Sequence, residues 1–77
     1  MKGWYTMENY KGYYGTRAEY IEHLKERIKF WAKAFAEEPG KRLAMQFRLE
    51  NAENALAAED IDWDEIETLE IEGMKGA

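Results

Sequence analysis

A regular apolar stripe between Thr16 and Glu38 constrains the fold of this chain more than any other feature. Thr16 precedes Glu19 by three residues, which is the capping-box spacing that satisfies free backbone N–H groups at a helix start. Apolar residues then recur at spacings of three and four: Ile21, Leu24, Ile28, Trp31 and Phe35. The pattern predicts an amphipathic helix of about 20 residues, roughly 30 Å long, over residues 16–38.

A second helix is predicted over residues 41–58, after a break at Pro39 and Gly40. Proline disfavours helical backbone in the residue before it, and glycine turns easily. One face of the second helix carries four apolar residues: Met45, Leu49, Ala52 and Leu56. Because the connection is short, the two helices are expected to be antiparallel neighbours in a helical hairpin. Leu43 and Phe47 point away from that face, so they need a further surface to cover them.

The segments that flank the hairpin differ in character. Residues 1–15 are rich in glycine and aromatics, whereas residues 60–72 are acidic. Asp62 fits a helix N-cap, so a short helix is expected to start at Trp63. Residues 68–72 then alternate between polar and apolar side chains, which is the pattern of a strand that could pair with the segment around Trp4. A helix that continues to Ile71 is equally consistent with these residues.

The predicted fold is therefore a mainly α single domain of residues 1–77. It consists of an antiparallel helical hairpin with an aromatic N-terminal segment and an acidic C-terminal segment, and a short two-stranded β pairing would make it a small α+β fold. With 77 residues and no cysteine, the core is thin and has no disulfide to support it. Self-association into a homo-oligomer is one way to bury more surface.

The composition also bears on location and chemistry. A chain without cysteine suits a reducing compartment, and no apolar run approaches the roughly 20 residues that span a bilayer. We therefore expect a cytoplasmic protein that does not enter membranes. The chain has no serine either, and its threonines have no adjacent base and orienting acid, so nucleophilic catalysis has no candidate. His23 is interpreted as a partly exposed helix residue beside Glu19.

Three alternating aspartates, Asp60, Asp62 and Asp64, are similar in spacing to the start of a calcium loop. In an EF-hand the sixth position is glycine and the twelfth is a bidentate glutamate, but here these positions hold Glu65 and Ile71. The aspartates are better explained as residues that cap and solvate a helix start. We expect no catalytic residue, no metal and no cofactor.

Charge is distributed very unevenly along the chain. Residues 1–48 carry ten Lys and Arg against six Asp and Glu, whereas residues 49–77 carry one lysine against ten acids. Such asymmetry usually concerns what a protein binds. The predicted partner-binding residues are those of the acidic segment: Asp60, Asp62, Trp63, Asp64, Glu65, Glu67 and Glu70. A simple solvated face is the alternative, as is an acidic segment that folds back on the basic face of the first helix or of a second copy.

An alternative interface is the aromatic cluster near the N-terminus: Trp4, Tyr5, Tyr10, Tyr13 and Tyr14. Its tyrosines would either cover Leu43 and Phe47, form a protein-binding hot spot, or stack on nucleic-acid bases with Lys11 and Arg17 nearby. The net charge of −5 argues against nucleic acid.

The functional hypothesis is a small non-enzymatic inhibitor whose carboxylates imitate a phosphate backbone. Its expected partner is a protein with a basic surface, such as a nucleic-acid-handling machine or a defence nuclease complex. Phage-encoded counter-defence proteins are often of this size and charge, which is an analogy of composition only. The alternatives are a self-assembling adaptor or structural protein and a small nucleic-acid-binding module.

Overall fold

The computed structural model describes residues 9–76, which form three helices preceded by a small β-hairpin. The strands are Asn9–Tyr10 (β1) and Tyr13–Tyr14 (β2). The helices are Arg17–Glu37 (α1), Arg42–Ala57 (α2) and Trp63–Lys75 (α3), and a 3₁₀ turn at Pro39–Lys41 joins α1 to α2. The predicted helical hairpin and the mainly α class are confirmed.

The capping box predicted at the start of α1 is present. The Glu19 N–H donates to Thr16 Oγ1 at 3.1 Å, and the Thr16 N–H donates to Glu19 Oε1 at 2.8 Å. At the other end the Glu38 N–H still donates to the Ala34 carbonyl, and the helix stops before Pro39. Local sequence signals therefore set both ends of α1.

The central element of the fold is α1, because α2 and α3 both pack along it and have little contact with each other. Eight buried apolar side chains from the three helices form the core: Leu24, Ile28, Ala32, Leu49, Ala52, Leu56, Ile66 and Leu69. The predicted apolar face of α2 is thus confirmed, with its last three members buried and Met45 half-buried.

Residues 68–72 are helical, because helix α3 continues through this segment to Lys75. Of the two interpretations that the sequence left open, the helix is confirmed and the strand is wrong. Ile66, Leu69 and Gly73 are spaced by three and four residues, and all three are buried. Residues 68–72 therefore fit two patterns at once, the helical spacing of these buried residues and the alternation typical of a strand. Packing against α1 favours the helix, since it buries one continuous face.

The only strand pairing among residues 9–76 is the local hairpin of β1 and β2, in which Asn9 is opposite Tyr14 and Tyr10 is opposite Tyr13. The connecting residues Lys11 and Gly12 have φ of 51° and 88°, as a two-residue type I′ turn requires. The sequence left open a strand pairing between the two flanking segments, and this pairing does not form because residues 68–72 are helical. Trp4 and Tyr5 lie outside the described residues.

Leu43 and Phe47 remain uncovered on the outer face of α2, with 84% and 65% of their surfaces exposed. The interpretation that the tyrosines cover them is wrong for Tyr10 and Tyr13. Both rings pack against Tyr20 instead, with centroid distances of 5.3 and 5.9 Å. The hairpin lies at the start of α1, whereas Leu43 and Phe47 lie near the opposite end, at the start of α2.

Candidate functional site

The acidic residues predicted to bind a partner begin at the corner between α2 and α3. Asp60 adopts a left-handed backbone conformation with φ of 66°, which aspartate and asparagine tolerate better than most residues. Asp62 is the N-cap of α3, and its Oδ1 accepts a hydrogen bond from the Asp64 N–H at 3.3 Å. The corner therefore holds these aspartates in defined backbone positions.

The acids of α3 itself are distributed around the helix. Successive residues turn by about 100°, so Ile66, Leu69 and Gly73 face α1 while Asp64 and Glu67 lie on the exposed side. Glu65 and Glu70 fall on opposite flanks of the buried stripe. The seven predicted residues are thus not one continuous face.

Glu65 is neutralised by a lysine of the central helix. Lys25 Nζ lies 3.0 Å from Glu65 Oε2, and the hydrogen bond to Glu65 raises the pKa of Lys25. This contact bears out, for one residue, the alternative that the acidic segment folds back on the basic face of α1. Glu65 is consequently a weak candidate for binding another molecule.

Glu70 is half-buried, unlike the other predicted residues of the acidic segment, and it lies close to Glu53 of α2. Partial burial, followed by hydrogen bonding to Glu70 and repulsion from Glu70 and Glu50, raises the pKa of Glu53 to about 8. The pKa of Glu53 therefore lies well above that of an ordinary carboxyl group, because Glu53 is partly buried beside a second carboxyl group.

The remaining predicted residues form what we call the acidic surface: Asp60, Asp62, Trp63, Asp64 and Glu67. All five are exposed, and the Trp63 side chain is 55% exposed. Within residues 9–76, no lysine or arginine nitrogen lies within 4.0 Å of its four carboxylates. The acidic surface thus combines unneutralised charge with one large exposed indole.

Beneath the corner lies a buried carboxylate, Glu59, which is only 3% exposed. It accepts hydrogen bonds from Tyr10 Oη at 2.7 Å, from Arg17 Nε at 2.8 Å and from Lys11 Nζ. Arg17 Nη2 also donates to the Glu59 carbonyl oxygen at 2.8 Å. The hydrogen bonds from Lys11, Tyr10 and Arg17, in that order of importance, lower the pKa of Glu59 to about 2.

Sequence reasoning missed this role of Glu59 and counted it only as part of the acidic run. Its partners lie 42 to 49 residues away, so no local pattern identifies them. One signal does exist, because Glu59 follows Ala52 and Leu56 at helical spacing and so extends the buried face of α2. A carboxylate at such a position must be paired.

The alternative aromatic interface is largely used inside the molecule. Tyr10 is bound to Glu59, and Tyr13 stacks on His23 with a centroid distance of 5.0 Å. Tyr14 is exposed. Lys11 and Arg17, the cations needed for nucleic-acid binding, are both engaged by Glu59. This end of the molecule acts mainly to attach the β-hairpin to the helices.

Two further properties concern residues 9–76 only. No group of three or more histidine, aspartate or glutamate side chains is arranged to hold a metal ion in this part of the chain. None of its helices combines the length and apolar character needed to cross a membrane.

Comparisons of the chain with protein-family models, with curated proteins and with solved structures found no match in any of the three. The geometry and charge of the acidic surface are therefore the basis for inferring what the protein does.

Proposed function

We propose that this chain is a small non-enzymatic inhibitor that binds a protein through the acidic surface. The observation that carries the proposal is Trp63, 55% exposed and placed among four carboxylates that have no cationic neighbour within the described residues. Tryptophan is enriched among the residues that dominate binding energy at protein interfaces. Its indole ring combines a large apolar surface with an N–H donor, which suits a residue that packs against a partner.

Preorganisation supports a binding role for this surface. The carboxylates lie at a capped corner and on the first two turns of α3, which is held against α1 by Ile66 and Leu69. A surface that is already ordered loses little conformational entropy on binding. Unpaired charges of one sign also steer association with an oppositely charged partner.

The partner class we favour is a nucleic-acid-handling protein with a basic channel or groove. Such a groove accepts spaced negative charges, and the carboxylates of Asp60, Asp62, Asp64 and Glu67 would occupy it in place of phosphates. A phage counter-defence protein that blocks a nuclease complex is one example of this class. We place the protein in the cytoplasm in this proposal, because a chain without cysteine needs no oxidising compartment.

The proposal is tested with a tagged bait in nuclease-treated lysate of the source cell or its host. The test variant is D60N/D62N/D64N/E67Q, which removes the charge and keeps the shape. Asparagine caps helices as well as aspartate and tolerates the left-handed backbone of Asp60. We expect the native bait to capture a nucleic-acid-binding protein that added duplex DNA displaces, and the amide variant to lose it.

The matched control, E22Q/E26Q/E37Q/E72Q, makes the same change of net charge at exposed glutamates outside the acidic surface. This control should retain the partner. Trp63→Ala should weaken binding by at least about 30-fold, the loss typical of a dominant interface residue. Equal capture by the native bait and by both the amide and Trp63→Ala variants would refute the proposal.

A further inference from the structure

A second surface, on the outer face of α2, is apolar and independent of the acidic surface. Leu43 and Phe47 are the most exposed leucine and phenylalanine in residues 9–76, at 84% and 65%. They are four residues apart on one helix, so their side chains lie next to each other. Together with Ala44 they line an open groove of about 700 Å³.

The exposure of these two side chains is unexpected in so small a protein. Among residues 9–76 only eight apolar residues are buried in the core, so leaving a leucine and a phenylalanine in water forgoes a large share of the available burial. Neither residue contributes to the α1–α2 contact, which the opposite face of α2 makes through Leu49, Ala52 and Leu56. Contiguous exposed apolar residues of this kind mark an interaction surface.

The charges that line the groove indicate what covers it. Lys41 and Glu50 both line the groove, and Lys41 Nζ also lies 3.8 Å from Glu38 Oε1. Lys41 lies four residues before Met45 and Glu50 lies five residues after it, while Leu43 and Phe47 lie two residues on either side. The surface is therefore close to self-complementary about the level of Met45, with apolar residues at equal separations and opposite charges at separations that differ by one residue.

We infer that this face of α2 binds a second copy of the chain, with the two α2 helices antiparallel across a two-fold axis that crosses the outer face of α2 at the level of Met45. Phe47 of each copy packs on Leu43 of the other, and Lys41 of each copy pairs with Glu50 of the other. A two-fold axis requires such a self-complementary patch. The small side chain of Ala44, near the axis, lets the helices approach closely.

The size of the surface sets the expected strength of the dimer. A contact made mainly by one helix of 16 residues is at the small end of specific interfaces. The dimer should therefore dissociate on dilution. It leaves the acidic surface on α3 free in each copy, so the inference does not depend on the proposed function.

The inference is tested by sedimentation equilibrium of the full chain over the micromolar to millimolar range. The native chain should approach twice the monomer mass with increasing concentration. L43Q/F47Q should stay monomeric, and both substitutions are at exposed positions, so circular dichroism should report an unchanged helix content. F30Q/I71Q, which changes two exposed apolar residues outside the groove, is the matched control and should still dimerise.

Charge reversal tests the antiparallel arrangement itself. K41E and E50K each place like charges opposite one another in a homodimer, so each alone should dimerise at least tenfold more weakly than the native chain. In an equal mixture, each new carboxylate at position 41 faces a new ammonium group at position 50 of the other copy. The mixture should therefore form heterodimers with restored affinity.

Three outcomes would overturn the inference. They are a native chain that stays monomeric at every concentration, an L43Q/F47Q variant that dimerises like the native chain, and a mixture of the charge variants that associates no better than either alone. The first outcome would mean that the groove does not bind a second copy and is available to a different protein. The second would mean that the copies associate through another surface.

Discussion

Glu59 is a buried carboxylate that binds three side chains from a distant part of the sequence. A buried carboxylate is costly unless hydrogen bonds replace its lost hydration. Tyr10, Lys11 and Arg17 supply those bonds, and they come from the β-hairpin and from the first turn of α1. One ionised side chain thus connects the hairpin, α1 and the end of α2.

The pKa shifts of Glu59 and Glu53 are opposite in sign, so we expect them to give opposite dependences of stability on pH. The pKa of Glu59 is lowered to about 2 in the folded chain from an ordinary value of 4.5. The free energy of unfolding that Glu59 contributes is therefore present above pH 4.5 and is lost as the pH falls through 2. The pKa of Glu53 is raised to about 8, so the free energy of unfolding that Glu53 contributes is present below pH 4.5 and is lost as the pH rises through 8. The melting temperature measured between pH 2 and pH 8 should therefore be highest at about pH 4.5.

Two variants separate the contributions of these groups. Glu59→Gln should lower the melting temperature at neutral pH and flatten the acid side of the profile, since the charge that protons remove is already absent. Glu53→Gln should flatten the alkaline side and raise stability above pH 8. Glu37→Gln, at an exposed glutamate of α1, controls for the loss of one negative charge. An unchanged profile in Glu59→Gln would mean that the buried cluster does not form.

At the scale of elements, α3 depends on close approach to α1. A Cβ atom at Gly73 would lie 2.5 Å from the Lys29 carbonyl oxygen and 2.8 Å from the Lys29 Cα. Both are backbone atoms, which cannot move aside as a side-chain end can. Glycine at this position therefore allows the two helix backbones to meet, and it explains how a helix of 13 residues packs firmly with few large side chains.

Gly73→Ala should destabilise the fold by about 1–3 kcal/mol, the usual cost of an overpacked contact. The sign is the opposite of the ordinary effect of this change inside a helix, where alanine is favoured by about 1 kcal/mol. Gly76→Ala is the control, since the nearest atom to its added Cβ is at 3.4 Å and its φ of −76° suits any residue. Denaturant unfolding measures both, and equal stability of the two variants would contradict the close approach.

At the scale of the whole molecule, the fold is a central helix with one helix packed on each side and a small hairpin at its start. This arrangement leaves the outer faces of α2 and α3 available as separate surfaces, one apolar and one acidic. It also concentrates stability in few residues, because a domain of this size has a thin core. Single core substitutions should therefore have large effects on folding.

Ile28→Ala tests whether stability depends on few core residues, since Ile28 is fully buried at 0% exposure in the middle of α1. The variant should lose roughly 2–5 kcal/mol, a large share of the stability of so small a domain. Ile71→Ala removes the same atoms from an exposed site on α3 and should cost far less. Trp31→Ala should fall between the two because Trp31 is half-buried. Equal melting temperatures for Ile28→Ala and the native chain would contradict the assigned core.

What the sequence alone determined is the helical hairpin, because the signals for it are local. A capping box, apolar spacings of three and four, and a Pro-Gly break act between residues close in the chain. The same reasoning found the N-cap at Asp62 and the start of a helix at Trp63. It could not choose between strand and helix for residues 68–72, because both periodicities are present in that segment.

What only the tertiary structure decided depends on contacts between distant residues. Packing on α1 selected the helix for α3, and it placed Lys25 in an ion pair with Glu65. It also brought Glu53 close to Glu70, which raises the pKa of Glu53. Glu59 found its partners more than 40 residues away. Local propensities do not specify such pairs, since they exist only after the chain has brought its helices together and excluded water between them.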